Sequence, residues 1–258
     1  MIKIKLNNHL TKYFKFAIIF IVIFFAIILN YTPVAASNSD FTKKVVYLTF
    51  DDGPNENITK EIVNILESNN IKGSFFLIGD NANNNKGLVK LLKEKNMTIM
   101  PHTNIHKYNE IYSSTDEYFN DLNKCEETIS NIIGERDFKF IRMPGGSDNT
   151  IGNEQIMTEI KNRIKSENRY YIDWSVDSGD TEEQGVSVNF IDSRIKEYGG
   201  LYPVEVVLMH DISGKETTIA ALQNTINFYK EKGYKFKSLD EIEDDDIEYL
   251  KKIKVINK

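Results

Sequence analysis

Short apolar runs of β-branched and aromatic residues alternate with helix-spaced segments along nearly the whole chain, and this alternation restricts the folds open to it. The run Val45-Val46-Tyr47-Leu48-Thr49-Phe50 reads as a buried strand that ends at the turn-forming Asp51-Asp52-Gly53-Pro54. Ile58, Ile62, Val63, Ile65 and Leu66 then recur at helical spacing. The same reading predicts strands at 74–78, 97–100, 138–142, 170–174, 204–209 and 235–238. Helices are expected at 88–95, 116–133 (with Gly134 as the stop), 153–166 and 217–232. Seven strands, most followed by a helix, predict an α/β fold with a parallel sheet. One closed barrel accommodates them better than two domains. The tail 244–258 is acidic and then basic, and periodicity assigns it no role.

The first residues have a different character. Lys3, Lys5, Lys12 and Lys15 precede the apolar run 16–29, followed by Pro33 and the small residues Val34-Ala35-Ala36-Ser37. That order predicts a signal peptide cut after Ala36, or alternatively an uncleaved anchor. Both readings export the remainder of the chain, as a linker over 37–44 and a catalytic domain over 45–258, with membrane contact only through the N-terminal segment. A net charge of −6 without a basic, aromatic-interleaved stretch argues against a nucleic-acid partner. Cys125 is the only cysteine, which excludes an internal disulfide and a cysteine-based metal cluster.

The chemistry-bearing residues fall just after predicted strands, at the rim where a parallel barrel assembles its active site. Asp51-Asp52 can be read as a turn, but adjacent carboxylates repel, and a metal on one would relieve that cost. His102 and His106, in Met100-Pro101-His102-Thr103-Asn104-Ile105-His106, are four apart, and in a helical turn both imidazoles would reach one metal. A surface or packing pair of histidines is the plainer alternative. Arg142 closes a strand before Met143-Pro144-Gly145-Gly146, as a salt-bridging or surface arginine or as part of a site whose turn exposes backbone N–H groups. Trp174 is either core or a sugar platform. Asp177 and Asp180 follow it, and His210-Asp211 closes the strand that contains Leu208.

In combination these segments resemble the polysaccharide deacetylases with a NodB-homology domain, carbohydrate esterase family 4. The family's five motifs occur in order: TFDDGP at 49–54, HTxxH at 102–106, RMPGG at 142–146, VDSGD at 176–180 and LMHD at 208–211. The resemblance spans Val45 to about Ile242 and implies a distorted (β/α) barrel of about seven units. It further implies one divalent metal, zinc by preference, on Asp52, His102 and His106. Asp51 would be the general base toward a water on that metal, held by Arg142, and His210 the general acid. Asp180 would keep His210 protonated, with Asp177 as the fallback. The Gly145 N–H would face the oxyanion, and Trp174 and Leu208 complete the substrate side.

Three motif positions depart from the family. Met100-Pro101 replaces the usual Gly-Asn before His102, which stiffens the approach to the loop. Gly145 replaces a tyrosine, so an aromatic wall of the cleft is expected to be missing. Thr181 follows Asp180 where the family often has tryptophan. The expected function is removal of N-acetyl groups from an amino-sugar polymer, with peptidoglycan first. Chitin-like polymers, an exopolysaccharide or O-acetylated xylan are alternatives, as are another substrate on the same scaffold and an inactive carbohydrate-binding barrel. A site built on one domain's rim needs no second copy, so a monomer is expected.

Overall fold

The computed structural model describes residues 43–183 and 185–258, all within one compact unit. The predicted leader and most of the linker lie outside the described residues. No described helix is long and apolar enough to cross a membrane.

Among the described residues eight strands occur where the sequence predicts seven. They are β1 (Val45–Asp51), β2 (Ser74–Leu77), β3 (Thr98–Pro101), β4 (Phe140–Ile141), β5 (Tyr170–Tyr171), β6 (Val176–Asp177), β7 (Val204–His210) and β8 (Lys235–Lys237). The two-residue β6 was not anticipated. The principal helices are α1 (Ile58–Ser68), α2 (Gly79–Asn84), α3 (Lys86–Glu94), α4 (Tyr108–Ile111), α5 (Thr115–Ile133), α6 (Glu154–Ser166), α7 (Val188–Tyr198), α8 (Glu216–Glu231) and α9 (Asp244–Lys252). Local chemistry explains several boundaries. Ser114 caps α5 by accepting from the Glu117 N–H, and Gly134, at φ +91°, stops it. Asn153 and Ser187 cap α6 and α7 in the same way.

Every strand pairing is parallel, and β1 is the hub. Its seven residues are all buried, and β7 pairs along its full length from Val45↔Val204 to Asp51↔His210. The opposite edge is divided, with β8 on Val45 to Tyr47 and β2 on Thr49 to Asp51. Such continuous burial is what a strand covered on both faces requires.

The barrel is distorted and its hydrogen-bonded ladder is not closed. The pair β4–β5 stands apart from the sheet ordered β3-β2-β1-β7-β6. Side chains and the chain terminus bridge the interruptions. His102 Nδ1 lies 2.8 Å from the Arg142 carbonyl, joining the end of β3 to the end of β4. Residues 255–257 run along β5, where Asp173 N–H donates to the Val255 carbonyl (2.8 Å) and Asn257 N–H to the Tyr171 carbonyl (3.0 Å). The C-terminal tail therefore has a role that its periodicity did not disclose. Its helix α9 buries Asp246, which accepts from the Tyr47 hydroxyl of β1 at 2.7 Å.

Candidate active site

The carboxyl ends of β1, β3, β4, β6 and β7 converge, bringing residues of all five sequence motifs to one rim. Asp51 is buried, and Asp52 follows it in the left-handed region at φ +73°. That turn sends the two adjacent carboxylates to different partners. The turn closes tightly on β7: a Cβ on Gly53 would stand 2.1 Å from Asp211 Oδ2, so only glycine fits. Asp211 itself is fully buried and accepts from the Thr59 hydroxyl at 2.6 Å, and burial pushes its carboxyl up to about 7.

Asp52, His102 and His106 face one another, with a ligand atom from each within 4.8 Å of the other two. Asp52 Oδ1 lies 3.3 Å from His102 Nε2 and 3.2 Å from His106 Nε2. It is buried yet accepts no well-formed hydrogen bond. One carboxylate oxygen and two imidazole nitrogens converging on a common centre suit a divalent metal and leave coordination positions for water and substrate. The contact of His102 Nδ1 with the Arg142 carbonyl places the proton on Nδ1 and leaves the Nε2 lone pair for a ligand role. Burial holds His106 below the ordinary imidazole range, which favours a free lone pair. At His102 burial is outweighed by Asp51 and Asp52, which raise it, so ligation through Nε2 would release a proton there.

The histidines reach this geometry without the helical turn that their spacing suggested. They stand in an irregular loop in which Thr103 and His106 have φ of +65° and +50°. A β-branched residue in that region is costly and persists only where its surroundings hold it. Here they do. Gly79 N–H donates to the Thr103 carbonyl, and Asp80 N–H to the Asn104 carbonyl, each at 3.0 Å. Asp121 on α5 accepts from the Asn104 and Ile105 N–H groups. Asp121 was not singled out from the sequence, because a helix-borne aspartate carries no local sign of a loop partner.

Arg142 is wholly buried, and all three of its guanidinium nitrogens donate. It donates to Asp51 Oδ1 (2.9 Å), the Thr49 hydroxyl (2.6 Å) and the carbonyls of Ile172 and Asp173 (both 3.1 Å). This ties β1 to β4 and to the end of β5, and it keeps Asp51 charge-paired. A surface role for Arg142 is thereby excluded.

Across the rim, His210 sits directly opposite Asp51 in the β1–β7 register. Its Nδ1 lies 2.7 Å from Asp180 Oδ1, and its backbone N–H donates to Asp180 Oδ2 at 2.8 Å. Thr218, in the first turn of α8, also donates to Oδ2 at 2.7 Å. Asp177, the fallback, instead accepts from the Gly179 N–H and shapes the turn. Burial lowers the His210 pKa, but the Asp180 bond and charge, with Asp51 and Asp52 beyond, outweigh it and raise the imidazole to about 9. Burial likewise works against the Asp180 carboxylate, yet its bonds from His210 and Thr218 hold it below the ordinary range.

The remaining predicted residues take distinct places. Gly145 is exposed at φ +75°, and its N–H donates to no group among the described residues. Trp174 is half-buried against Gly146, with Cη2 3.2 Å from where a Cβ would stand. Leu208 is buried in β7, in register with Thr49 and Asp177.

Comparison with known proteins agrees with this arrangement. A family model described as polysaccharide deacetylase matches residues 38–162. The peptidoglycan-N-acetylglucosamine deacetylase of Bacillus cereus is 33% identical over 202 residues, covering 77% of this chain and 70% of that protein. The peptidoglycan-N-acetylglucosamine deacetylase PgdA of Listeria monocytogenes is 31% identical over 201 residues, 78% of this chain and 39% of the longer relative. Among solved structures, the catalytic domain of a peptidoglycan N-acetylglucosamine deacetylase from Eubacterium rectale superposes with a TM-score of 0.71 at 32% identity, covering 76% of this chain and 88% of that one. With the five motifs on one rim and relatives similar over three quarters of its length, this chain belongs to the polysaccharide deacetylases of carbohydrate esterase family 4.

Proposed function

We propose that this protein is an exported, zinc-dependent deacetylase that removes N-acetyl groups from the amino sugars of peptidoglycan. The observation that carries the reading is a pair of oppositely partnered groups on adjacent strands, Asp51 ion-paired with Arg142 and His210 held protonated by Asp180. Amide hydrolysis needs both, a base toward the attacking water and an acid toward a poor amine leaving group.

Asp52, His102 and His106 would hold the metal. It would supply Lewis-acid polarisation of the acetyl carbonyl and would lower the pKa of water in the site. Asp51 takes the proton of the attacking water while Arg142 fixes the orientation of its carboxylate. The Gly145 N–H is free to donate to the developing oxyanion. His210 gives its Nε2 proton to the departing sugar nitrogen, and Asp180 on Nδ1 stabilises and orients the imidazolium. Acetate and a free amino sugar are the products.

Peptidoglycan is the proposed polymer because the relatives just named act on it and because the leader at 1–36 would deliver the domain at 45–258 to the wall. The site draws all its residues from one chain, so we propose a monomer. Acetate release by the purified protein, from peptidoglycan and from N-acetylglucosamine oligomers, with and without added zinc, tests the reading. Zinc-stimulated acetate from peptidoglycan is expected. Release from neither substrate, with zinc bound, would refute it.

A further inference from the structure

At position 145, where an aromatic wall is expected to be missing, the ring of Tyr108 lies against the glycine. A Cβ on Gly145 would stand 3.1 Å from Tyr108 Cε1 and 3.5 Å from the Tyr108 hydroxyl oxygen. Tyr108, the first residue of α4, therefore lies over bare backbone that a side chain at 145 would contest. Gly146 repeats the pattern with Trp174, so two successive glycines each seat a half-buried ring.

Tyr108 is held from behind. Its ring stacks on Tyr112 with centroids 6.4 Å apart at 21°, and Tyr112 stacks on Tyr118 at 5.7 Å and 12°. Tyr112 and Tyr118 are buried, and the Tyr112 hydroxyl donates to the Pro144 carbonyl at 2.8 Å. The three tyrosines form a ladder from the core to the cleft, anchored to the same loop that carries Gly145. At the cleft end Tyr108 meets the edge of His106, centroids 5.1 Å apart at 65°. Its hydroxyl makes no hydrogen bond among the described residues, and the residue is half-buried at the cleft edge.

We propose that Tyr108 is a substrate-binding residue whose ring packs against the apolar C–H face of the amino sugar being deacetylated. The inference rests on the deacetylase reading for the identity of the ligand. A ring already fixed by its neighbours loses little freedom on binding, so its contact contributes to affinity with small entropic cost.

The test compares Tyr108→Ala and Tyr108→Phe with the parent in calorimetric binding of the N-acetylglucosamine tetramer, alongside zinc content per chain. Tyr108→Ala should weaken binding by roughly five- to tenfold, the value of an aromatic contact beyond burial. Tyr108→Phe, which keeps the ring, should stay within about twofold of the parent on the same scale. Zinc content should be equal in all three. Equal affinity of the alanine variant and the parent would overturn the proposal, and so would a loss of affinity that follows a loss of zinc. Acetate release by the parent is scored separately. Its absence with the tetramer still bound would sink the deacetylase reading and leave the Tyr108 wall supported.

Discussion

Asp180→Asn removes a charge from His210 while keeping the shape of its surroundings, and the consequence for rate can be worked out. His210 Nδ1 is 2.7 Å from the Asp180 carboxylate, and its imidazole is raised from 6.5 to about 9 against the pull of burial. At about 1.4 kcal/mol per unit, the imidazolium is favoured by roughly 3 kcal/mol, with Asp180 the foremost of the groups that raise it. Asp51 and Asp52 remain in the variant, so the alkaline limb of kcat/KM should fall by about one to two units and not by the whole shift. Near pH 8 the parent would be about nine-tenths protonated and a variant titrating near 7 about one-tenth. The variant should thus lose roughly tenfold more at pH 8 than at pH 6. Acetate release measured from about pH 5.5 to 9.5 reads this directly. An alkaline limb in the same place for both proteins would refute the assignment of His210 as the acid. Stability offers a second sign. A raised histidine stabilises the fold fully below its unfolded pKa, and that contribution is lost as pH rises through about 9. The difference in Tm between parent and variant should accordingly be large near pH 6 and shrink above about pH 9.

Asp51→Asn should retain zinc, measured by elemental analysis, yet lose roughly 10²- to 10⁴-fold in turnover, the usual contribution of a general base. His106→Ala should lower zinc occupancy at limiting metal, and unchanged content would remove His106 from the ligand set. Arg142→Leu strands Asp51 in a buried setting without its cation. It should cost about 3–5 kcal/mol, lowering Tm by about 10 °C in thermal unfolding.

What could be read in advance depended on whether the signal was local. β1, β2, β3 and β7 are runs of buried residues ended by polar turns, and they appear within a residue or two of where the pattern places them. β6 is two residues long, too short for any period to register. The candidate metal ligands were legible because Asp52, His102 and His106, of two residue types that can share one ion, directly follow the strands β1 and β3. Their backbone was not, because left-handed φ at Thr103 and His106 is imposed by Asp121, Gly79 and Asp80 from outside the loop. The choice of Asp180 over Asp177 likewise depends on which carboxylate the turn directs at His210, since both precede the same loop. Tyr108 was invisible from its own position, and the open space left by Gly145 is what reveals its place.

The division of the β1 edge between β2 and β8 has a consequence for the order in which the chain can become native. Thr49 donates to a carbonyl 158 positions away in β7, and Tyr47 to a carboxylate 199 positions away in α9. The strand that ends in Asp51 and leads into Asp52 is among the first parts of the domain to be made and among the last to gain all its neighbours. Until β8 arrives, the stretch from Val45 to Tyr47 is an apolar edge open to pairing with another chain. Pairings so distant in sequence also slow folding, which prolongs that exposure. A chain cut short before residue 235 would contain every residue of the site and still be prone to aggregate before the site could form.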